Sequence, residues 1–80
     1  MIRMEIHRRC LLKQGKGRNR IPTVTVMHAA TEAEALADVA EFRELGCPET
    51  MPFAKADLYD DAAFRRDPLA AKPFRTIMEG

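Results

Sequence analysis

The strongest structural signal in this chain is a helix that the sequence delimits at both ends. Thr31 and Glu34 form a T-x-x-E capping box, in which the two side chains satisfy main-chain N–H groups of the first turn. Gly46 suits the residue that follows a last helical turn, and Pro48 cannot continue a helix. The sequence therefore predicts one helix over residues 31–45, and the other elements must pack around it.

The two sides of this helix differ in polarity. At about 100° per residue, Ala35, Leu36, Val39 and Phe42 lie on one side, which we expect to be buried. The other side carries carboxylates and is expected to face solvent. This acidic stripe comprises Glu34, Asp38, Glu41 and Glu44.

Two strands are predicted before the helix. Apolar and polar residues alternate over most of 2–13, which is typical of a strand with one buried face, and residues 21–27 are rich in β-branched side chains. Residues 14–20 contain two glycines and an asparagine, which tolerate the positive φ of a hairpin turn. We expect this hairpin to pack on the helix. The strand residues expected to contact it are Ile2, Met4, Ile6, Val24 and Val26.

The elements after Pro48 are shorter. Residues 53–59 are interpreted as a third strand or an extended segment, and Asp60 as the cap of a short helix that carries Phe64. Prolines in the remainder prevent a long helix, so short helical turns are expected over 67–80. The sequence thus predicts a single domain, residues 1–80, of the α+β class: an N-terminal β-hairpin packed on one amphipathic helix.

Composition excludes several classes of protein. No apolar run approaches the roughly 18–20 residues that a membrane span needs, and the N-terminus lacks a signal-peptide core. The two cysteines, Cys10 and Cys47, are fewer than a disulfide-stapled secreted domain would carry. We therefore expect reduced thiols and a cytoplasmic location, in the host cell if the chain is phage-encoded. A bridge between the two cysteines stays an alternative.

Charge is segregated along the chain, although the net charge is only +1. Residues 1–20 contain seven basic residues and one acid, whereas residues 21–50 contain one basic residue and six acids. Such a distribution bears on partners rather than on the fold. The cations cluster in and beside the predicted hairpin loop. This basic hairpin comprises Arg8, Arg9, Lys13, Lys16, Arg18 and Arg20.

Candidate metal ligands and catalytic groups do not form a motif. His7 and Cys10 are three residues apart in a strand, so they point to opposite faces. His28 and Cys47 lack the close neighbours that structural zinc sites use. General acid–base chemistry by His7 with Arg9 needs a positioned partner and a cleft. We therefore expect no metal, no cofactor and no catalytic residue.

The order of hairpin, capped acidic helix and short C-terminal segment resembles that of small phage and mobile-element proteins, the anti-CRISPR inhibitors among them. The segments that carry the resemblance are Ile2-Arg3-Met4-Glu5-Ile6, Gly15-Lys16-Gly17-Arg18 and Thr31-Glu32-Ala33-Glu34. Those inhibitors share size and architecture rather than a motif, so no residue role is carried over. The resemblance implies a stoichiometric, non-enzymatic inhibitor that binds a Cas subunit and blocks DNA binding or nuclease recruitment.

Two other functions fit the residues. A nucleic-acid-binding accessory protein would place the basic hairpin on phosphates, and a small toxin-like ribonuclease would use His7 or His28. Of the two charged surfaces, the basic hairpin is favoured as the partner site, because solvation of the helix already explains the acidic stripe. A homodimer, in which the hairpin of one copy meets the acidic helix of another, is a further alternative.

Overall fold

In a computed structural model, the described residues, 1–11 and 23–78, form a four-stranded antiparallel sheet and two helices. The elements are β1 (Ile2–Arg8), β2 (Val24–Ala29), α1 (Glu32–Leu45), β3 (Phe53–Asp60), α2 (Asp61–Arg66) and β4 (Arg75–Met78). Across the sheet the strands lie in the order β2-β1-β3-β4. The expected α+β class is confirmed, together with the N-terminal strand pair and the helix that follows it.

The ends of α1 follow the predicted capping chemistry. The Glu34 N–H donates to Thr31 Oγ1 at 3.2 Å, and the Glu34 carboxylate accepts from the Ala30 N–H at 3.3 Å. At the other end, the Gly46 N–H donates to the Phe42 carbonyl at 2.7 Å. A Cβ at Gly46 would lie 3.0 Å from the Phe42 ring and carbonyl, so a larger residue there would require Phe42 to shift by a few tenths of an ångström.

The core lies between α1 and one face of the sheet. β1 pairs with β2 on one side and β3 on the other, and α1 connects β2 to β3 and contacts all three strands. Met4, Ile6 and Leu58 are fully buried in this layer. From α1, Ala35 and Val39 are buried while Leu36 and Phe42 pack against the core, as the helical periodicity predicts.

The expected orientation of β2 is wrong. Val24 and Val26 stand opposite His7 and Glu5 of β1 and are 42% and 43% exposed. Directly opposed residues share a face of the sheet, so both valines lie on the face that α1 does not cover. The core takes the alternate residues of β2 instead, with Met27 opposite Met4 and Ala29 opposite Ile2.

The predictions for the C-terminal part are correct for β3 and α2 but not for the last segment. The strand interpretation of 53–59 is confirmed, and the Ala62 N–H donates to Asp60 Oδ1 at 3.2 Å, as expected for the helix cap. Helical turns over the whole of 67–80 are wrong for Arg75–Met78, which pairs with β3 as strand β4. Ile77 of β4 stands opposite Ala56 and packs against the core, which favours the strand. Neither described helix has the length and apolar character that crossing a membrane requires.

Candidate functional site

The face of the sheet away from α1 carries most of the polar strand residues. We call it the open sheet face. Phe64 of α2 packs on one end of this face. The Phe64 ring lies 4.0 Å from the Arg3 guanidinium and meets the Tyr59 ring edge-on, with 5.2 Å between the ring centres. The side chains of the open sheet face follow from the strand register and alternation. They are those of Arg3, Glu5, His7, Val24, Val26, His28, Lys55, Asp57, Tyr59, Thr76 and Met78.

A buried aspartate lies at the centre of the open sheet face. Asp57 is 6% exposed, and its Oδ1 atom accepts a hydrogen bond from Thr76 Oγ1 at 2.8 Å. Its Oδ2 atom lies 3.5 Å from both His7 Nε2 and Lys55 Nζ. The 3.5 Å separation of His7 from Asp57 is too long for a good hydrogen bond, and the buried His7 Nε2 has no hydrogen-bond partner among the described residues. Burying a carboxylate requires such partners, so these contacts account for its position in the fold.

A second buried aspartate is held in the same way at the start of α2. Asp61 is 7% exposed; its Oδ1 lies 3.3 Å from His28 Nε2 and its Oδ2 lies 3.0 Å from Arg65 Nε. Nearby, Arg3 Nε donates to Glu5 Oε2 at 3.1 Å. The charged groups of the open sheet face therefore neutralise one another.

These contacts also affect the tyrosine on β3. Burial raises the pKa of Tyr59 above its ordinary value, and the negative charges of Glu5 and Asp57 raise it further, against a smaller opposite effect of Arg3. The phenol is therefore held in its neutral form in the folded protein.

The two histidines share the open sheet face without converging. His28 stands opposite Arg3, and His7 is four residues further along β1, which separates the two positions by about 13 Å along the strands. Each faces its own carboxylate, Asp57 or Asp61. Within residues 1–11 and 23–78, no three His, Cys, Asp or Glu side chains are arranged to hold a metal ion. No disulfide joins Cys10 and Cys47, and burial raises the pKa of the Cys47 thiol.

The acidic stripe of α1 differs from these paired charges. Glu34, Glu41 and Glu44 are exposed and Asp38 is half-buried. Within the described part of the chain, none of the four makes an ion pair, whereas Glu32 on the same helix contacts Arg75 at 2.8 Å. The stripe therefore has carboxylates that the described residues leave uncompensated.

A groove of about 300 Å³ lies beside the stripe, between the C-terminal half of α1 and β2. Two stripe carboxylates, Asp38 and Glu41, border it, and its apolar residues include Leu45, which is 77% exposed. Sequence reasoning did not identify the groove, although Leu45 is an apolar residue on the acidic side of the helix and signals it. The lining residues are Met27, Asp38, Glu41, Phe42, Leu45 and Gly46.

The basic hairpin is only partly within the described residues. Arg8 lies on the α1 side of β1, where it donates to the Gly46 carbonyl and to Thr25 Oγ1, both at 3.3 Å, and its guanidinium lies 5.5 Å from the Phe42 ring. Arg8 therefore joins β1 to the end of α1, and Arg9 is exposed. The other four predicted site residues lie outside the described residues: Lys13, Lys16, Arg18 and Arg20.

Comparisons with known proteins found no relative of this chain. No family model, curated protein or solved structure matches the chain. The function must therefore be argued from the residues and their geometry, in which the acidic stripe and its groove stand apart from the self-compensated open sheet face.

Proposed function

We propose that this chain is a non-enzymatic binding protein whose acidic stripe contacts a cationic, nucleic-acid-binding surface on a partner protein. The observation that carries the proposal is the position of uncompensated carboxylates beside an apolar groove. Protein interfaces combine an apolar centre with a polar rim, and a groove with Met27 and Leu45 supplies such a centre. Met27 also packs against the core, but a merely solvated helix face has no need of Leu45, which is 77% exposed.

The negative charge of the acidic stripe explains how its binding would inhibit a nucleic-acid-binding partner. Proteins bind nucleic acids mainly by neutralising phosphates with Lys and Arg, and a row of carboxylates competes for the same cations. Successive stripe residues lie three or four positions apart, about one helical turn, so they present charge as a line. We therefore propose a cytoplasmic inhibitor of a CRISPR–Cas effector complex that blocks target nucleic-acid binding.

The open sheet face supports binding rather than catalysis. An acid–base mechanism that uses both histidines needs the two groups within hydrogen-bond reach of one substrate. His7 and His28 are instead about 13 Å apart along the strands and each already faces a carboxylate. Their placement is accounted for by their contacts with the buried carboxylates of Asp57 and Asp61.

The proposal is tested by competition for DNA. Purified CRISPR–Cas effector complexes of several types are mixed with labelled target DNA, and bound DNA is measured as the protein is added. We expect the wild-type protein to displace DNA from at least one complex. The variant Asp38→Lys/Glu41→Lys/Glu44→Lys should raise the half-inhibitory concentration about tenfold or more. Glu34 is left unchanged because its carboxylate accepts from Ala30 at the helix start.

The matched control changes the other charged surface by an equal and opposite amount. Lys16→Glu/Arg18→Glu/Arg20→Glu should change inhibition less than the helix variant does. If the hairpin variant loses inhibition while the helix variant keeps it, the basic hairpin is the partner site and the acidic stripe is not. Direct DNA or RNA binding by the wild type, with a steep salt dependence, would instead indicate an accessory protein.

A further inference from the structure

We infer that the outer edge of β2 receives an extended basic segment of the partner protein as an additional strand. The inference names the binding mode of the proposed partner, and it rests on the proposed function in attributing the segment to that partner. It uses two features that lie side by side: the edge of β2 and the groove bordered by Asp38 and Glu41.

The main chain of β2 presents unused hydrogen-bonding groups at this edge. β2 is the end strand of the sheet, and the Arg8 N–H donates to the Thr23 carbonyl at 2.7 Å. Bonded pairs in an antiparallel ladder recur at every second residue, so the main-chain groups of Val24, Val26 and His28 point away from β1. Within the described ranges, no strand pairs with this side of β2. An added strand satisfies these groups by main-chain hydrogen bonds.

The surroundings of the edge select the side chains of that strand. Alternate residues of an added strand point towards α1, where an Arg or Lys stem can cover Met27 and Leu45 while its charged end reaches Asp38 and Glu41. The intervening residues lie beside Val24 and Val26, whose exposed side chains favour β-branched apolar neighbours. The recognised pattern is therefore an alternation of basic and β-branched apolar residues.

The same geometry disfavours a second copy of the chain at the β2 edge, and it disfavours the β4 edge as the site of the basic segment. If β2 paired with β2 of a second copy, Asp38 and Glu41 of both copies would meet at the new junction, and like charges in contact are repulsive. The opposite edge of the sheet, at β4, carries Arg75 on the α1 side, where it contacts Glu32. The Glu32 carboxylate beside that edge is already paired, so it attracts a basic strand less than Asp38 and Glu41 do at the β2 edge.

The probe for this inference is a synthetic peptide of alternating arginine and valine, matched in length to β2 and blocked at both ends. Amide NMR spectra of the full-length protein are recorded during its titration. We expect shifted resonances and slowed hydrogen exchange at Val24, Val26 and His28. The control peptide has the same side chains, but the main-chain nitrogens that would donate to β2 are methylated. It should bind about tenfold more weakly, because it lacks those hydrogen bonds.

Variants of the stripe test the charge component. Asp38→Asn/Glu41→Gln keeps the shape of the groove and should weaken binding of the unmodified peptide about fivefold or more. Glu49→Gln removes an exposed carboxylate outside both the stripe and the groove and should leave the dissociation constant almost unchanged. Thermal melts of both variants establish that the fold is kept.

Several results would overturn strand addition. Equal binding of the methylated peptide would mean that only charge attracts it, and shifts at Arg75–Met78 would place it on the wrong edge. A dimer with β2 resonances already perturbed in the absence of peptide would mean that a second copy occupies the edge. Absence of peptide binding at millimolar concentration would also overturn the inference.

The two proposals fail separately. If the protein displaces DNA from an effector complex but does not bind the peptide, the proposed function stands and the strand-addition mode is wrong. If the peptide binds along β2 but no effector complex is inhibited, the recognised pattern stands and the partner has been misassigned.

Discussion

The carboxylates of the open sheet face and those of the acidic stripe are the same chemical group in opposite situations. Asp57 and Asp61 are buried, and each contacts two or more partners from other positions in the chain. The stripe residue Glu41 is exposed and has no ion pair among residues 1–11 and 23–78. A paired and buried carboxylate contributes to folding, whereas an unpaired one at the surface is available to a partner. Counting acidic residues along the sequence does not separate these roles.

Removing the buried carboxylate should have the largest effect on stability. Asp57→Ala leaves the Thr76 hydroxyl and Lys55 without their partner, and we expect the free energy of unfolding to fall by about 2–4 kcal/mol. The part-exposure of Lys55 keeps the loss below that of a fully buried pair. Urea denaturation measures the change. Glu41→Ala is the matched control and should stay within about 0.5 kcal/mol of the parent; equal losses in the two variants would contradict the comparison.

The same distinction applies to two neighbouring cations. Arg8→Ala removes hydrogen bonds to Gly46 and Thr25 and the contact with the Phe42 ring, and should cost about 1–2 kcal/mol. Arg9→Ala removes an exposed side chain and should have little effect on the urea midpoint. A destabilised Arg9 variant beside an unchanged Arg8 variant would show that their roles have been reversed.

Neutralising the stripe should stabilise the folded protein slightly. Asp38→Asn/Glu41→Gln/Glu44→Gln relieves repulsion between like charges one turn apart, worth about 0.2–0.5 kcal/mol for each pair at low salt. Glu32→Gln, which loses the contact with Arg75, should instead destabilise by up to about 1 kcal/mol. Urea midpoints at low and high salt measure both, and the gain should shrink as salt screens the charges. A loss of stability in the triple variant would reveal an internal partner for the stripe.

The smallest effect at neutral pH concerns Tyr59. Its pKa is raised above 10.0 in the folded protein, first by burial and then by Glu5 and Asp57. Above the pKa of the unfolded chain, the unfolded state loses this proton more readily, so stability falls as the pH rises through the folded-state value. Tyr59→Phe keeps the ring against Phe64 and should lose less stability between pH about 8 and 11. An identical alkaline loss in the variant would assign the effect to other groups.

Features that depend on a few consecutive residues could be predicted from the sequence. The start of α1 needs Thr31 and Glu34, its end needs Gly46, and the start of α2 needs Asp60; each contact spans at most four residues. Local chemistry of this kind acts whatever the rest of the chain does. The buried side of α1 follows equally from its own periodicity.

Features that depend on distant partners were missed. Thr and Val alternate over 23–26, and hydrophobicity alone favours buried valines, but pairing with β1 places Met27 and Ala29 in the core instead. β4 becomes a strand because β3 accepts it as a neighbour. The partners of Asp57, such as His7 and Thr76, are equally remote in sequence. The sequence signal for this strand pairing was the presence of complementary charges at alternate positions of β1 and β3.

The candidate site was half predicted. The stripe carboxylates were identified from helical spacing, whereas the groove requires Met27 to lie beside α1, which follows only from the strand register. Most of the basic hairpin lies outside the described residues, so its role stays a prediction.

The central position of β1 has a consequence for synthesis on the ribosome. β1 is translated before the other described strands, and β2 follows it closely, but the partner of Ile2 on the other side is Asp60 of β3. After β1 and β2 have emerged and before β3 has, one side of β1 has no strand to pair with, and its main-chain groups are exposed to other chains. Pairing across so long a separation also slows folding. The nascent protein is therefore most open to strand pairing with other chains from the emergence of β2 until β3 has left the exit tunnel.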